Sequence, residues 1–97
     1  MTRSKRSQSK HNSQVRKEVK KLEKQGYEVK ADISGYQQPS TIGGYRPDYI
    51  GKKGKKRVIG EVETKDSVDS ARDQKQQKAF KQAAKRSQNT SFKRTVS

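Results

Sequence analysis

A chain of 97 residues carrying a formal net charge of +15, with only 14 Leu, Ile, Val and Phe, has room for one domain with a thin core. Without cysteine, neither disulfides nor thiolate metal sites are open to it. No apolar run suits a membrane span or a signal-peptide core, which points to an intracellular, cytoplasmic protein with no membrane partner. At a pI near 10.3 the expected partner is a polyanion, nucleic acid above all.

Such a composition borders on that of disordered chains, and the case for a fold rests on patterning. Residues 1–12 hold Ser, Lys, Arg and Gln with no hydrophobe after Met1, and read as a disordered basic arm. His11, the only histidine, falls in this polar tail and is expected to be solvated. Residues 13–97 read as a single domain. Val15, Val19 and Leu22 recur at i, i+4 and i+7, a helix of about three turns with Ser13 or Asn12 as N-cap and Gly26 just past its end. Its outer faces are mostly lysine. Glu18 flanks the stripe and is either an ordinary helix-surface pair or an inward-pointing acid.

Tyr27, Val29, Ala31 and Ile33 alternate with polar residues, the pattern of a half-buried strand. Residues 34–44 form a polar loop containing Gly35, Pro39, Gly43 and Gly44, long enough to move and approach a ligand. Two short runs, 45–50 and 57–62, then flank a lysine- and glycine-rich turn and predict a hairpin with a loop of several residues. Lys52, Lys53, Lys55 and Lys56 crowd its tip and, with Lys17, Lys20 and Lys21 of the helix, are candidate phosphate contacts.

The hairpin also carries acids where strands usually hold hydrophobes: Asp48 on one run, Glu61 and Glu63 on the other. Alternation puts Glu61, Glu63 and Ile59 on one face, and Asp48 meets them if the register allows. Two glutamates on a strand are also what a solvated face shows. Three acids converging in a cationic chain instead suggest a hard, oxygen-ligated divalent metal. A second helix follows, from Val68 or Ala71 to Lys85, with Ser70 to Asp73 fitting a capping box and Phe80, Ala83 and Ala84 on its apolar side. Residues 91–97 look like a last strand. The order is α-β-β-β-α-β, an α/β layer with a mixed sheet and two helices.

At Pro47-Asp48 and Gly60-Glu61-Val62-Glu63 the sequence resembles the PD-(D/E)XK nuclease superfamily, whose minimal restriction-endonuclease-like core has this element order. It is most similar to small Holliday-junction resolvases: a lysine-rich helix ending in Glu23-Lys24-Gln25-Gly26-Tyr27, a strand, a glycine-rich loop, Arg46-Pro47-Asp48-Tyr49-Ile50, and a strand with Glu61-Val62-Glu63. The resemblance covers residues 13–96. It implies a metal-dependent DNA endonuclease in which Asp48 and Glu61 bind Mg²⁺ or Mn²⁺, the ion positioning a water against a phosphodiester. It also implies a homodimer, because cutting two strands needs two sites. The superfamily's lysine position holds Glu63. Either the second acid takes the lysine's place, which the match at Glu61 favours, or Lys65 serves from the shifted Glu63-Thr64-Lys65. The resemblance further suggests Glu18 as a first-helix acid and Gln76, four residues before Phe80, as a helix glutamine reaching the site. The competing reading is a basic nucleic-acid-binding module without chemistry, on a degenerate nuclease fold.

Overall fold

The structure, a computed structural model, describes residues 5–63 and 71–96. Its elements run α1 (Lys5–Lys24), β1 (Glu28–Ala31), β2 (Tyr49–Lys53), β3 (Lys56–Glu63), α2 (Ala71–Arg86) and β4 (Thr90–Val96). The four strands form one sheet in the order β1-β2-β3-β4. The first two pairings are antiparallel and β3–β4 is parallel, with α2 as the crossover. This is the mixed, two-helix, restriction-endonuclease-like core that the resemblance implied.

α1 begins at Lys5, so residues 5–12 are helical where a disordered arm was expected. The hydrophobic stripe misses this extension because its inward position is held by His11, four residues before Val15. The helix stops as the sequence requires. Gly26 takes φ 91°, Tyr27 N–H donates to Leu22 O at 3.0 Å and Gly26 N–H to Glu23 O at 3.0 Å, a Schellman cap.

The apolar side of α1 (Val15, Val19) packs on Ala31, Tyr49 and Val62, with Leu22, Val29, Ile33 and Tyr36 around it. Across the hairpin Tyr49 lies opposite Gly60, and a Cβ at Gly60 would fall inside the Tyr49 ring. Glycine there is a packing requirement. Phe80 of α2 meets Phe92 of β4 at 5.7 Å between ring centroids, and register places Ile59 beside Phe92. Alternation gives Ile59 and Val62 to opposite faces; α1 packs on β1, β2 and β3, and α2 on β4.

β1 is shorter than the predicted strand. Asp32 and Ile33 turn away, though Asp32 N–H still donates to Asp48 O at 2.9 Å. The loop after it is tied down: Arg46 Nε donates to Pro39 O at 3.2 Å, and Ile42 and Tyr45 exchange backbone bonds around Gly43 and Gly44, both at positive φ. The hairpin's loop is tighter than expected, because Lys53 pairs with Lys56 and only Gly54 and Lys55 lie between. Exposed lysines carry the strands on to the turn, where Gly54 takes the left-handed φ of 58°.

Candidate active site

The site lies where β2 starts and β3 ends. Asp48 immediately precedes β2, its N–H donating to Gly60 O at 3.0 Å, which sets it opposite Glu61 in the hairpin register. Pro47 before it is fully buried and fixes the approach of the chain. One Asp48 oxygen, Oδ2, accepts a 2.7 Å bond from Val62 N–H. The other, Oδ1, lies 3.1 Å from His11 Nε2. A single carboxylate thus joins β2, β3 and α1.

Glu61 and Glu63 do not form a solvated face: they are 5% and 4% exposed. Burying carboxylates costs several kcal/mol apiece unless other groups compensate, which is why acids rarely sit at such positions by chance. Glu18, 4% exposed, also points inward. Its Oε2 takes a 2.8 Å bond from Lys93 Nζ of β4, Gln14 Nε2 donates to Oε1 at 3.1 Å, and Lys21 Nζ is 3.8 Å away. Burial alone would push the Glu18 carboxyl up. The Lys93 bond and charge, helped by Lys21 and Gln14, outweigh it and hold the group below its ordinary value. Glu18 is therefore neither a plain surface pair nor an acid awaiting a partner.

Tyr49 stands between these groups. Its hydroxyl is buried with no hydrogen-bond partner among the described residues. Burial, then the negative charge of Glu18, Asp48 and Glu61, raise its ionisation well beyond the ordinary tyrosine range. The charge of all three carboxylates is thus felt at the Tyr49 hydroxyl.

The sequence missed His11, 6% exposed at the inner face of α1 instead of solvated. The available signal was spacing: His11, Val15 and Val19 fall at i, i+4 and i+8, so the histidine continues the inward stripe. Lys65 lies outside the described residues, as does Ser70, the first residue of the expected capping box. Gln76 is half-buried on α2. Lys17, Lys20, Lys21, Lys52, Lys53, Lys55 and Lys56 are all exposed, but Lys53 is committed locally. Its Nζ donates to Gln25 O at 2.6 Å and lies 5.8 Å from the centre of the Tyr27 ring.

The expected three-acid cluster does not form: among the described residues no group of three or more acids or histidines closes on one point. Two carboxylates on adjacent strands still suit Mg²⁺, which commonly takes one or two protein oxygens and fills its octahedron with water and substrate phosphate. The Tyr49 hydroxyl, which the charge of both reaches, is a buried polar atom without a partner among the described residues. Carboxylate oxygens are hard donors of the kind a divalent ion takes.

Element order, the Pro-Asp entry to β2 and the Glu-x-Glu end of β3 together define a PD-(D/E)XK-type nuclease fold. A family model described as REase_AHJR-like, a restriction-endonuclease-like family, matches residues 3–92, and the chain belongs to that family. No curated protein and no solved structure matches it. Membership implies a nucleic acid substrate, and the family typically works with divalent metal ions.

Proposed function

We propose that this protein is a metal-dependent DNA endonuclease, selective for branched structure and acting as a homodimer with one site per chain. The observation that carries the reading is the junction at Asp48, where one carboxylate is set against the buried Glu61–Glu63 segment by bonds from Val62 N–H and His11. A divalent ion held by Asp48 and Glu61 would supply charge neutralisation at the phosphate and an acidified water. The chain's own groups do the rest. Val62 N–H fixes one oxygen of Asp48 and His11 orients the other, so the carboxylate is placed before substrate arrives. Glu63, in the position where the superfamily has lysine, accepts a proton from the attacking water. Exposed lysines draw the DNA backbone in through counterion release.

One observation favours the runner-up, a binding module without chemistry. Both oxygens of Asp48 are already engaged and an acid replaces the usual lysine. Incubation with plasmid and branched DNA in Mg²⁺ or Mn²⁺ separates the two. An endonuclease gives nicks or cuts, and Asp48→Ala or Glu61→Ala lowers the rate about 100-fold or more while DNA binding persists. Binding by the wild type with no metal-dependent cleavage establishes the module.

A further inference from the structure

Helix α2 carries a feature that the carboxylate site does not use. Gln74, Gln77, Lys78, Lys81, Gln82 and Lys85 line an open groove of ≈ 470 Å³ along one side of it. Gln74, Lys78, Lys81 and Lys85 recur at i, i+4, i+7 and i+11, within an arc of about 60° at 100° per residue, and form a straight stripe. The stripe faces away from the sheet, since Phe80 takes the buried side. From residue 74 to residue 86 the helix has Lys75, Lys78, Lys81, Lys85 and Arg86 and no acid. Among the described residues none of Lys78, Lys81 and Lys85 joins an ion pair, whereas Lys21 and Lys93 are both drawn to Glu18.

Exposed like charges at helical spacing repel one another, so this stripe does not stabilise the helix by itself. Its charge complements a linear polyanion. The run from Gln74 to Lys85 spans about 16 Å at 1.5 Å per residue. A DNA strand advances about 3.4 Å per phosphate along its axis, so about five phosphates pass that length. Topology gives the stripe a direction. α2 leaves the carboxylate end of β3 and must return to the start of the parallel strand β4, so Gln74 lies towards Glu63 and Lys85 towards the far end.

We infer that this stripe is a backbone track for duplex DNA, along which one strand's phosphates run towards the carboxylates. Lys78, Lys81 and Lys85 supply the charge and Gln82 a neutral amide donor. The contacts are to phosphate, so they carry affinity and positioning but no sequence preference. The inference rests on the nucleic-acid reading above and adds where the DNA lies.

The test compares two variants of equal charge loss in the full chain, Lys78→Gln/Lys81→Gln/Lys85→Gln and Lys24→Gln/Lys30→Gln/Lys75→Gln. The second set is exposed and off the stripe, with Lys75 on the same helix. Binding to one DNA duplex is measured over a range of salt, with circular dichroism confirming the fold. For the stripe variant the slope of log affinity against log salt falls in magnitude by about 2–3, and the dissociation constant rises about 10-fold or more at the same salt. The off-stripe variant loses less than half of that slope. Equal losses in the two variants, or an unchanged stripe variant, overturn the track while leaving DNA binding intact. A wild type that binds no DNA removes the nucleic-acid reading itself.

Discussion

The two ends of the β2–β3 hairpin share the same pair of strands and treat charge in opposite ways. At the tip Lys52, Lys53, Lys55 and Lys56 are all exposed around Gly54. At the base Asp48, Glu61 and Glu63 are wholly or largely withdrawn from water. A lysine in solvent keeps its hydration and asks little of its neighbours, so the tip, Lys53 with its bond to Gln25 O apart, acts through its long-range field. A withdrawn carboxylate loses hydration worth several kcal/mol and persists only where bonds are built for it. For Asp48 they come from Val62 N–H and from His11, two elements away in the chain. Charge at the tip is a matter of quantity; charge at the base is architecture.

That contrast is breakable by substitution. The largest effect is expected at the base. His11→Ala leaves Asp48 Oδ1 without its orienting group, and the metal-dependent cleavage rate drops about 10- to 100-fold, the scale for residues that position a ligand. His11→Gln, which keeps a donor, recovers part of it. Rates at saturating metal measure both.

Next comes Lys93→Met, which strips Glu18 of its principal partner. Lys93 is half-exposed and Glu18 buried, so the loss at pH 7 falls between a surface and a buried pair, about 1–2 kcal/mol by denaturant unfolding. Its sign with pH follows from the lowered Glu18 carboxyl. Stability from the pair is present above the ordinary value of 4.5 and is lost as pH falls through the depressed folded value. The gap between wild type and Lys93→Met therefore closes on acidification. Smallest is the tip: Lys55→Gln shifts unfolding by no more than about 0.5 kcal/mol. The same change lowers the salt slope of DNA binding by about 1.

What could be read in the sequence follows the same division. Val15, Val19 and Leu22 declared α1's inner face, Gly26 its end, and the alternation around Ile59 to Val62 placed Glu61 and Glu63 together on β3. Those signals are local periodicities, and element order followed from them. The first two turns of α1 carry no hydrophobe, so periodicity had nothing to register, and His11 looked like part of a polar tail. Burial of Glu61 and Glu63 is likewise a tertiary fact, on a strand held inside the sheet between β2 and β4, the latter from distant sequence. The Lys93–Glu18 pair spans 75 residues and leaves no local trace. The expected three-acid cluster erred for a related reason: strand alternation predicts a shared face, but not that His11 and Val62 N–H take hold of Asp48 first.

The most direct measurement is a calorimetric titration of Mn²⁺ into the free protein, run on wild type, Asp48→Asn and Lys55→Gln. Saturable binding by wild type and Lys55→Gln, abolished in Asp48→Asn, is the outcome expected if the hairpin's base is a cation site. Heats for wild type no different from those of Asp48→Asn would contradict it.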